Sequence, residues 1–312
     1  MRISTSWAQQ TSVNSMLNQQ SRLNQTQLQM NAGKKILTPS DDPAAASRII
    51  DFNQSIKQTE QYQSNINAAR QRLTLEDGVL QSSVDLLNRI EELGVQGLNA
   101  TYNQSDRVAI ATEMEGLNQQ LLGYANTQNA NGEYLFSGFK TADQPFSKVP
   151  NNPGAYSYAG DNNQRSIQIG ETRKITDGNP GSGTPNSNVF GTPTGGGPLP
   201  VPGGIKNIFE AIDQFAKDLR DNHPNQNSLG DISSALGQIL NAQSSVGARL
   251  NALDSQEGFN TDYILNTKTV LSATEDLDYA EAISRFSQQT LALQASQQAF
   301  AQVKKLSLFN YL

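Results

Sequence analysis

His223 is the one histidine of the chain, it adjoins Pro224, and there is no cysteine. A histidine metal site needs further ligands at fixed spacing, and a nucleophilic triad needs its imidazole on a rigid element rather than in a polar linker. Carboxylates spaced for paired acid and base work occur, such as Asp41 with Asp42, Glu91 with Glu92, and Glu275, Asp276 and Asp278. Each group lies on or beside a helical pattern, where a solvated charge or a helix cap accounts for it. Gly195-Gly196-Gly197-Pro198 has the glycines of a phosphate loop but lacks its Lys-Ser/Thr ending and its strand-to-helix setting. Asn-x-Ser/Thr triplets such as those at Asn24, Asn99 and Asn103 occur at chance level. These residues point to no catalytic, cofactor-binding or metal-binding site, so the chain is expected not to be an enzyme.

The function has to be sought in the elements themselves. With 312 residues the chain suits two domains, or one elongated body with an insert. A net charge of -6 and the lack of a clustered basic face speak against nucleic acid. No apolar run reaches membrane-spanning length, and Met1 to Gln20 lacks the apolar stretch of a cleaved signal. The expected location is therefore cytoplasmic, unless export reads an uncleaved N-terminus. The absence of cysteine suits a protein working outside the cell.

The two ends carry the most telling pattern. From Tyr279 the apolar positions Ile283, Phe286, Leu293, Phe300 and Val303 form one helical stripe, and Val13, Met16, Leu23 and Met30 form another near the N-terminus. Asp278 reads as the N-cap of the last helix with Glu281 as reciprocating acid, and Lys304 and Lys305 complement its C-terminus. Between Ser287 and Val303 there is no charged side chain, and between Ile3 and Gly33 only Arg22 is charged. Surface helices ordinarily carry Lys and Glu, so uncharged flanks rich in Gln fit packing against further copies of the same helices. These nine stripe residues are the expected assembly interface. A lone pair of such helices buries little apolar surface against the entropy of ordering it, so the ends are expected to order on assembly.

Between the ends, Gly33 suits a helix C-cap, and Asp42 caps a helix with Pro43 at its first position. Its stripe runs through Ile49, Phe52, Ile56, Ile66, Leu73, Leu80, Val84 and Leu87, in phase across Asp77-Gly78. A break is expected near Gly94 to Asn103, then a helix capped by Ser105 and Asp106 and carrying Val108, Ala111, Met114, Leu117 and Leu121. Gly132 to Phe139 reads as a strand or hairpin. Tyr156 to Tyr158 and Arg165 to Gly170, with the turn Gly160-Asp161, read as one β-hairpin. Residues 177 to 204, crowded with Gly and Pro, read as a flexible surface loop. Helical spacing returns at Ile208, Ile212, Phe215 and Leu219, and after Ser228 a long stripe from Leu229 to Leu271 mirrors the Pro43 helix. The fold expected is mainly α with a small β-rich insert: an elongated antiparallel coiled-coil rod with paired N- and C-terminal helices. Its parts are a terminal assembly domain (1–33 with 277–312), a helical rod (34–140 with 205–276) and a β-rich outer insert (141–204).

Several segments resemble the flagellin superfamily, and within it the hook-filament junction type. They are Gly33-Lys34-Lys35-Ile36 through Pro39-Ser40-Asp41-Asp42-Pro43-Ala44-Ala45-Ala46; Asn131 to Thr141; Val246 to Leu253; Asp276 to Ala282; and the close Leu306-Ser307-Leu308-Phe309-Asn310-Tyr311-Leu312. Residues 177 to 204 depart from the family pattern. The resemblance implies a structural subunit of the bacterial flagellum, secreted by the flagellar type III export apparatus and extracellular. It implies as partners other copies in a ring, the first hook-filament junction protein, flagellin, and an export chaperone on the C-terminal helix, with no nucleic acid and no membrane. A flagellin filament subunit is the rival reading, and a secreted coiled-coil adhesin or effector a further one.

Overall fold

Asp42 opens the longest helix. In the computed structural model, which describes residues 2–150, 152, 154–182, 189–191 and 207–305, its carboxylate accepts the Ala45 N–H at 3.0 Å. Pro43, whose missing N–H is harmless at the first position, starts the helix. The first helix, α1, spans Arg2–Ala32, and α2 spans Pro43–Leu98 without a break at Asp77-Gly78. Then follow α3 (Gln104–Ala125), four short strands β1 (Phe146–Lys148), β2 (Tyr156–Tyr158), β3 (Ser166–Gln168) and β4 (Lys174–Thr176), and three helices: α4 (Ile208–Arg220), α5 (Gln226–Glu275) and α6 (Tyr279–Lys305). The glycine run 195–197 and the close 306–312 lie outside the described residues. The fold is mainly helical with a small antiparallel strand insert. No helix among the described residues is long and apolar enough to cross a membrane.

The chain forms two compact units, Met1–Thr59 with Asp262–Leu312, and Glu60–Thr261. The core of the second follows from the heptad-like stripe of α2: Ile66, Leu73, Leu80, Leu87 and Ile90 are completely enclosed. Against them lie Met114 and Leu121 of α3 and the apolar face of α4, Ile208, Ile212, Phe215 and Leu219. Across the helix pair, Arg70 of α2 bonds Asp254 of α5 at 2.8 Å and also reaches Glu257. An aromatic cluster of Phe136, Phe146, Phe190 and Phe209 seals the insert side, with Phe146 and Phe209 ring centroids 5.1 Å apart.

Some local readings change. The cap of α3 is Asn103, not Ser105: Asn103 Oδ1 accepts the Asp106 N–H at 3.0 Å while the Asp106 carboxylate accepts the Asn103 N–H at 3.1 Å. Asn caps as well as Ser does, and here its spacing to an acid three residues on closes both bonds. The last long helix starts at Gln226, before Ser228, whose hydroxyl instead bonds Asp218 at 3.1 Å. Gly94 and Gly97 are inside α2 rather than in a break, because they let α4 approach its backbone.

The strands also pair differently. Tyr156–Tyr158 pairs with Phe146–Lys148, and Ser166–Gln168 with Lys174–Thr176, giving two hairpins in place of one. Asn126, just past α3, selects the first: its side chain makes a strand-like pair of bonds to Phe146, donating to its carbonyl at 2.9 Å and accepting its N–H at 3.0 Å. Gly132 to Phe139 forms turns and a single bridge, Gln128 with Tyr134, and buries Leu135 and Phe136. Positive φ at Gly132 and Gly138 turns the chain back on itself there. The segment 177–181, expected as surface loop, is buried. Asn179 of this segment donates to Glu76 of α2 at 2.7 Å and accepts from Arg249 of α5 at 2.9 Å, so polar side chains draw it onto the helices. The rest of the expected loop, 183–188 and 192–204, lies outside the described residues.

A methyl group at Gly94 would lie 2.6 Å from Phe215 Cε1 and 2.9 Å from Leu229 Cδ1, whereas at Gly78 it would meet nothing within 4 Å. Gly94→Ala is therefore expected to destabilise the protein by about 1–3 kcal/mol through overpacking. Gly78→Ala, in the same helix, should stabilise it by about 0.5–1 kcal/mol. Urea unfolding of both variants checks the opposite signs.

Candidate assembly site

The two end stripes meet each other. Helices α1 and α6 run antiparallel in the first unit, the Thr26 hydroxyl bonding Gln289 Oε1 at 2.9 Å and the Tyr279 hydroxyl donating to the Met30 carbonyl at 3.1 Å. Val13, Met16, Leu23 and Met30 are half-buried on the α6-facing stripe of α1, and Phe286, Leu293 and Phe300 are half-buried on α6. Ile283 stands at the edge of this seam and is 52% exposed. The side chain of Val303 lies outside the described residues. Steps of three and four residues keep one face of each helix on its partner, so the seam is continuous but narrow.

A clasp closes the pair at one end. Gly33, at φ +68, ends α1 in the left-handed region that a side chain resists, and its carbonyl accepts the Leu277 N–H at 3.1 Å. The Lys35 N–H donates to the Glu275 carbonyl at 2.7 Å, and Lys34 forms an ion pair with the Glu275 carboxylate. Asp41 gathers the turn: its carboxylate accepts the Leu37 and Thr38 N–H groups at 3.1 and 2.9 Å. Those backbone bonds hold its pKa below the ordinary carboxylate value. Asp278 caps α6, accepting the Ala280 and Glu281 N–H groups at 2.9 and 3.2 Å. Glu281, expected to reciprocate that cap, lies 3.6 Å from Arg285 one turn on. Of the acids singled out in the sequence, Asp41 thus gathers a turn, Asp42 and Asp278 cap helices, and Glu275 and Glu92 form ion pairs, with Lys34 and with Arg89, the latter at 3.2 Å.

The faces turned away from the seam carry what the stripes did not reveal. Trp7 is 72% exposed, Leu17 and Leu28 are 58% exposed, and Leu291 is 68% exposed. Leu17 and Leu28 are three helical turns apart, so they share one face of α1, off the seam. No run of three- and four-residue steps links these leucines as it does the seam: Leu28 stands between two glutamines, and Leu17 is one residue past Met16 and so about 100° round the helix from it. Exposed leucines on helices with almost no charge form a surface suited to burial against another protein. Among the described residues no group of three or more His, Asp or Glu side chains is placed to hold a metal, and His223 sits exposed with Nδ1 2.6 Å from the Asp221 carbonyl.

Comparison with known proteins agrees with this arrangement of helices. The model of the bacterial flagellin N-terminal helical region matches residues 3–141, and that of the C-terminal helical region matches residues 229–312. The chain belongs to the flagellin family. Its full-length similarity is to the hook-associated protein 3 branch: the flagellar hook-associated protein 3 of Escherichia coli K12 is 30% identical, with 99% of each chain covered. That of Salmonella typhimurium LT2 is 28% identical over 99% of each. The crystal structure of flagellar hook-associated protein 3 from Legionella pneumophila matches with a TM-score of 0.61 and 26% identity, covering 72% of this chain and 98% of that one.

The clasp predicts a local effect. Gly33→Ala would force a side chain into the left-handed region, 3.2 Å from the Tyr279 hydroxyl, at a cost of about 1–2 kcal/mol. Amide exchange in α1 and α6 is expected to accelerate roughly 5- to 30-fold, with the enclosed part of α2 unchanged.

Proposed function

We propose that this chain is the structural subunit that joins the flagellar hook to the filament. The observation that carries this reading is the pairing of end helices that carry few charges, none between Ser287 and Val303 and only Arg22 between Ile3 and Gly33, with leucines left exposed on their outer faces, in a chain similar over its whole length to hook-associated protein 3. In a ring of such subunits the faces bearing Leu17, Leu28 and Leu291 pack on neighbouring copies. The seam residues Val13, Met16, Leu23, Met30, Phe286, Leu293 and Phe300 hold each pair together, Ile283 extends the contact outward, and Val303 is assigned to the same interface from its place in the sequence stripe alone. Function here is packing, with no chemistry at any residue.

The likeness to hook-associated protein 3 supports a route and a place for the subunit as well. The subunit leaves the cell unfolded through the flagellar type III apparatus, with an export chaperone on its C-terminal helix, and its narrow seam orders fully only in the ring. It sits between the first junction protein and flagellin, outside the cell. The end helices form the assembly domain, residues 34–140 with 205–276 the supporting helices, and residues 141–204 the outward insert.

The double variant Leu17→Gln, Leu291→Gln tests this. Neither residue is in the seam, so its unfolding midpoint should stay within about 0.5 kcal/mol of the parent. Each lost apolar contact in the ring removes roughly 1.5–3 kcal/mol, so cells making the variant should keep their hooks, lose motility and release flagellin into the medium. Normal motility would refute the interface. Long filaments grown from the purified chain alone would favour the flagellin reading instead.

A further inference from the structure

Glu76 is completely enclosed in the second unit, one helical turn after Arg72 on α2. Its Oε1 accepts from Asn179 Nδ2 at 2.7 Å, and its Oε2 has no hydrogen-bond partner among the described residues. Asn179 belongs to the buried segment that follows β4. The same residue accepts from Arg249 of α5 at 2.9 Å, and nearby the Asp177 N–H donates to the Arg165 carbonyl at 3.1 Å and the Gly181 N–H to the Phe136 carbonyl at 2.8 Å. Gly178 packs over the Arg72 guanidinium, where a Cβ would come within 3.1 Å of Nε.

The charged groups around Glu76 are not aligned to neutralise it. Arg72 directs Nη2 to the Leu135 carbonyl at 3.0 Å and lies 3.5 Å from Glu133 through Nη1. Arg249 donates through Nη2 to Asn179 and to Ser245, while its Nη1 has no hydrogen-bond partner among the described residues. Asp177 is engaged by Arg165 at 2.7 Å. An ionised Glu76 would thus be a buried charge held by neutral Asn179, with no direct ion pair among the described residues, an arrangement that disfavours the charged form.

We propose that the segment Asp177–Ser182 is a proton-operated latch, seated on α2 and α5 while Glu76 is neutral and lifting as Glu76 ionises. Lifting lets water reach the carboxyl and turns a buried ion into an ordinary exposed one. Burial pushes the Glu76 pKa up from 4.5 to about 7, with Asn179, Arg249 and Arg72 offsetting only part of the effect. The seated state therefore binds the proton more tightly than the lifted one, so opening releases a proton and becomes easier as the pH rises from 4.5 to 7, levelling off above. Between pH 5 and pH 8 the opening equilibrium is expected to rise on the order of 70-fold. The latch concerns the second unit alone and does not rest on the role proposed for the end helices.

Hydrogen exchange of the full chain, corrected for the chemical exchange rate at each pH, tests the proposal. The Asp177 and Gly181 amides should exchange faster than those of the α2 core at every pH, with a protection that falls tens-fold between pH 5 and pH 8. Glu76→Gln keeps an acceptor for Asn179 but cannot ionise, and should flatten the profile. Asn179→Ala should expose the same amides already at pH 5. The latch is overturned by a flat profile in the parent chain or by the same slope in Glu76→Gln. Unchanged exchange in Asn179→Ala, or exchange of these amides only at the rate of the α2 core, would overturn it equally.

Discussion

The pairing of α1 with α6 rests on a seam that encloses Thr26 and Ala282 but buries its large apolar side chains only by halves. Neither helix supplies charges to strengthen the contact, so a narrow apolar stripe, the Thr26–Gln289 bond and the clasp at Gly33 and Leu277 hold the pair. The lack of charge weakens the isolated pair and suits a crowded one, because uncharged helices can gather closely with little electrostatic repulsion. A surface of glutamines and lone leucines can accept neighbours that a surface of lysines and glutamates would hold in water.

The second unit is built on the opposite terms. Its helices enclose complete rows of leucine and isoleucine, and its charges are used at joints: Arg70 across to α5, Arg89 from α2 to Glu113 of α3, and Arg220 from α4 to Glu115. The net charge divides in the same way. The first unit has ten basic and eight acidic residues, the second thirteen and twenty-one, so the excess of negative charge lies entirely in the second. Repulsion between like charges is thereby kept out of the unit that carries the paired ends.

The insert shows how few strong contacts suffice to seat irregular chain. Its strands are three residues long and would not persist as isolated hairpins. They are held by the ring cluster of Phe136, Phe146, Phe190 and Phe209, by the strand-like side chain of Asn126, and by the polar bridge from Glu76 through Asn179 to Arg249. These tie the insert to helices distant in sequence, so its conformation belongs to the helices as much as to its own residues.

The sequence by itself determined the long helices, their outward and returning order, the caps at Asp42 and Asp278, the C-cap at Gly33 and the uncharged ends. Each of these is written in spacing of three and four residues or in bonds that reach no further than one turn. Only the tertiary structure decided which strands pair, why Gly94 and Gly97 stand inside a helix, that the Asp177 segment is buried beside Glu76, and that the end stripes face one another while Leu17, Leu28 and Leu291 face outward. Those outcomes depend on partners tens to hundreds of residues away, and a helical period fixes which side chains share a face without naming what that face meets.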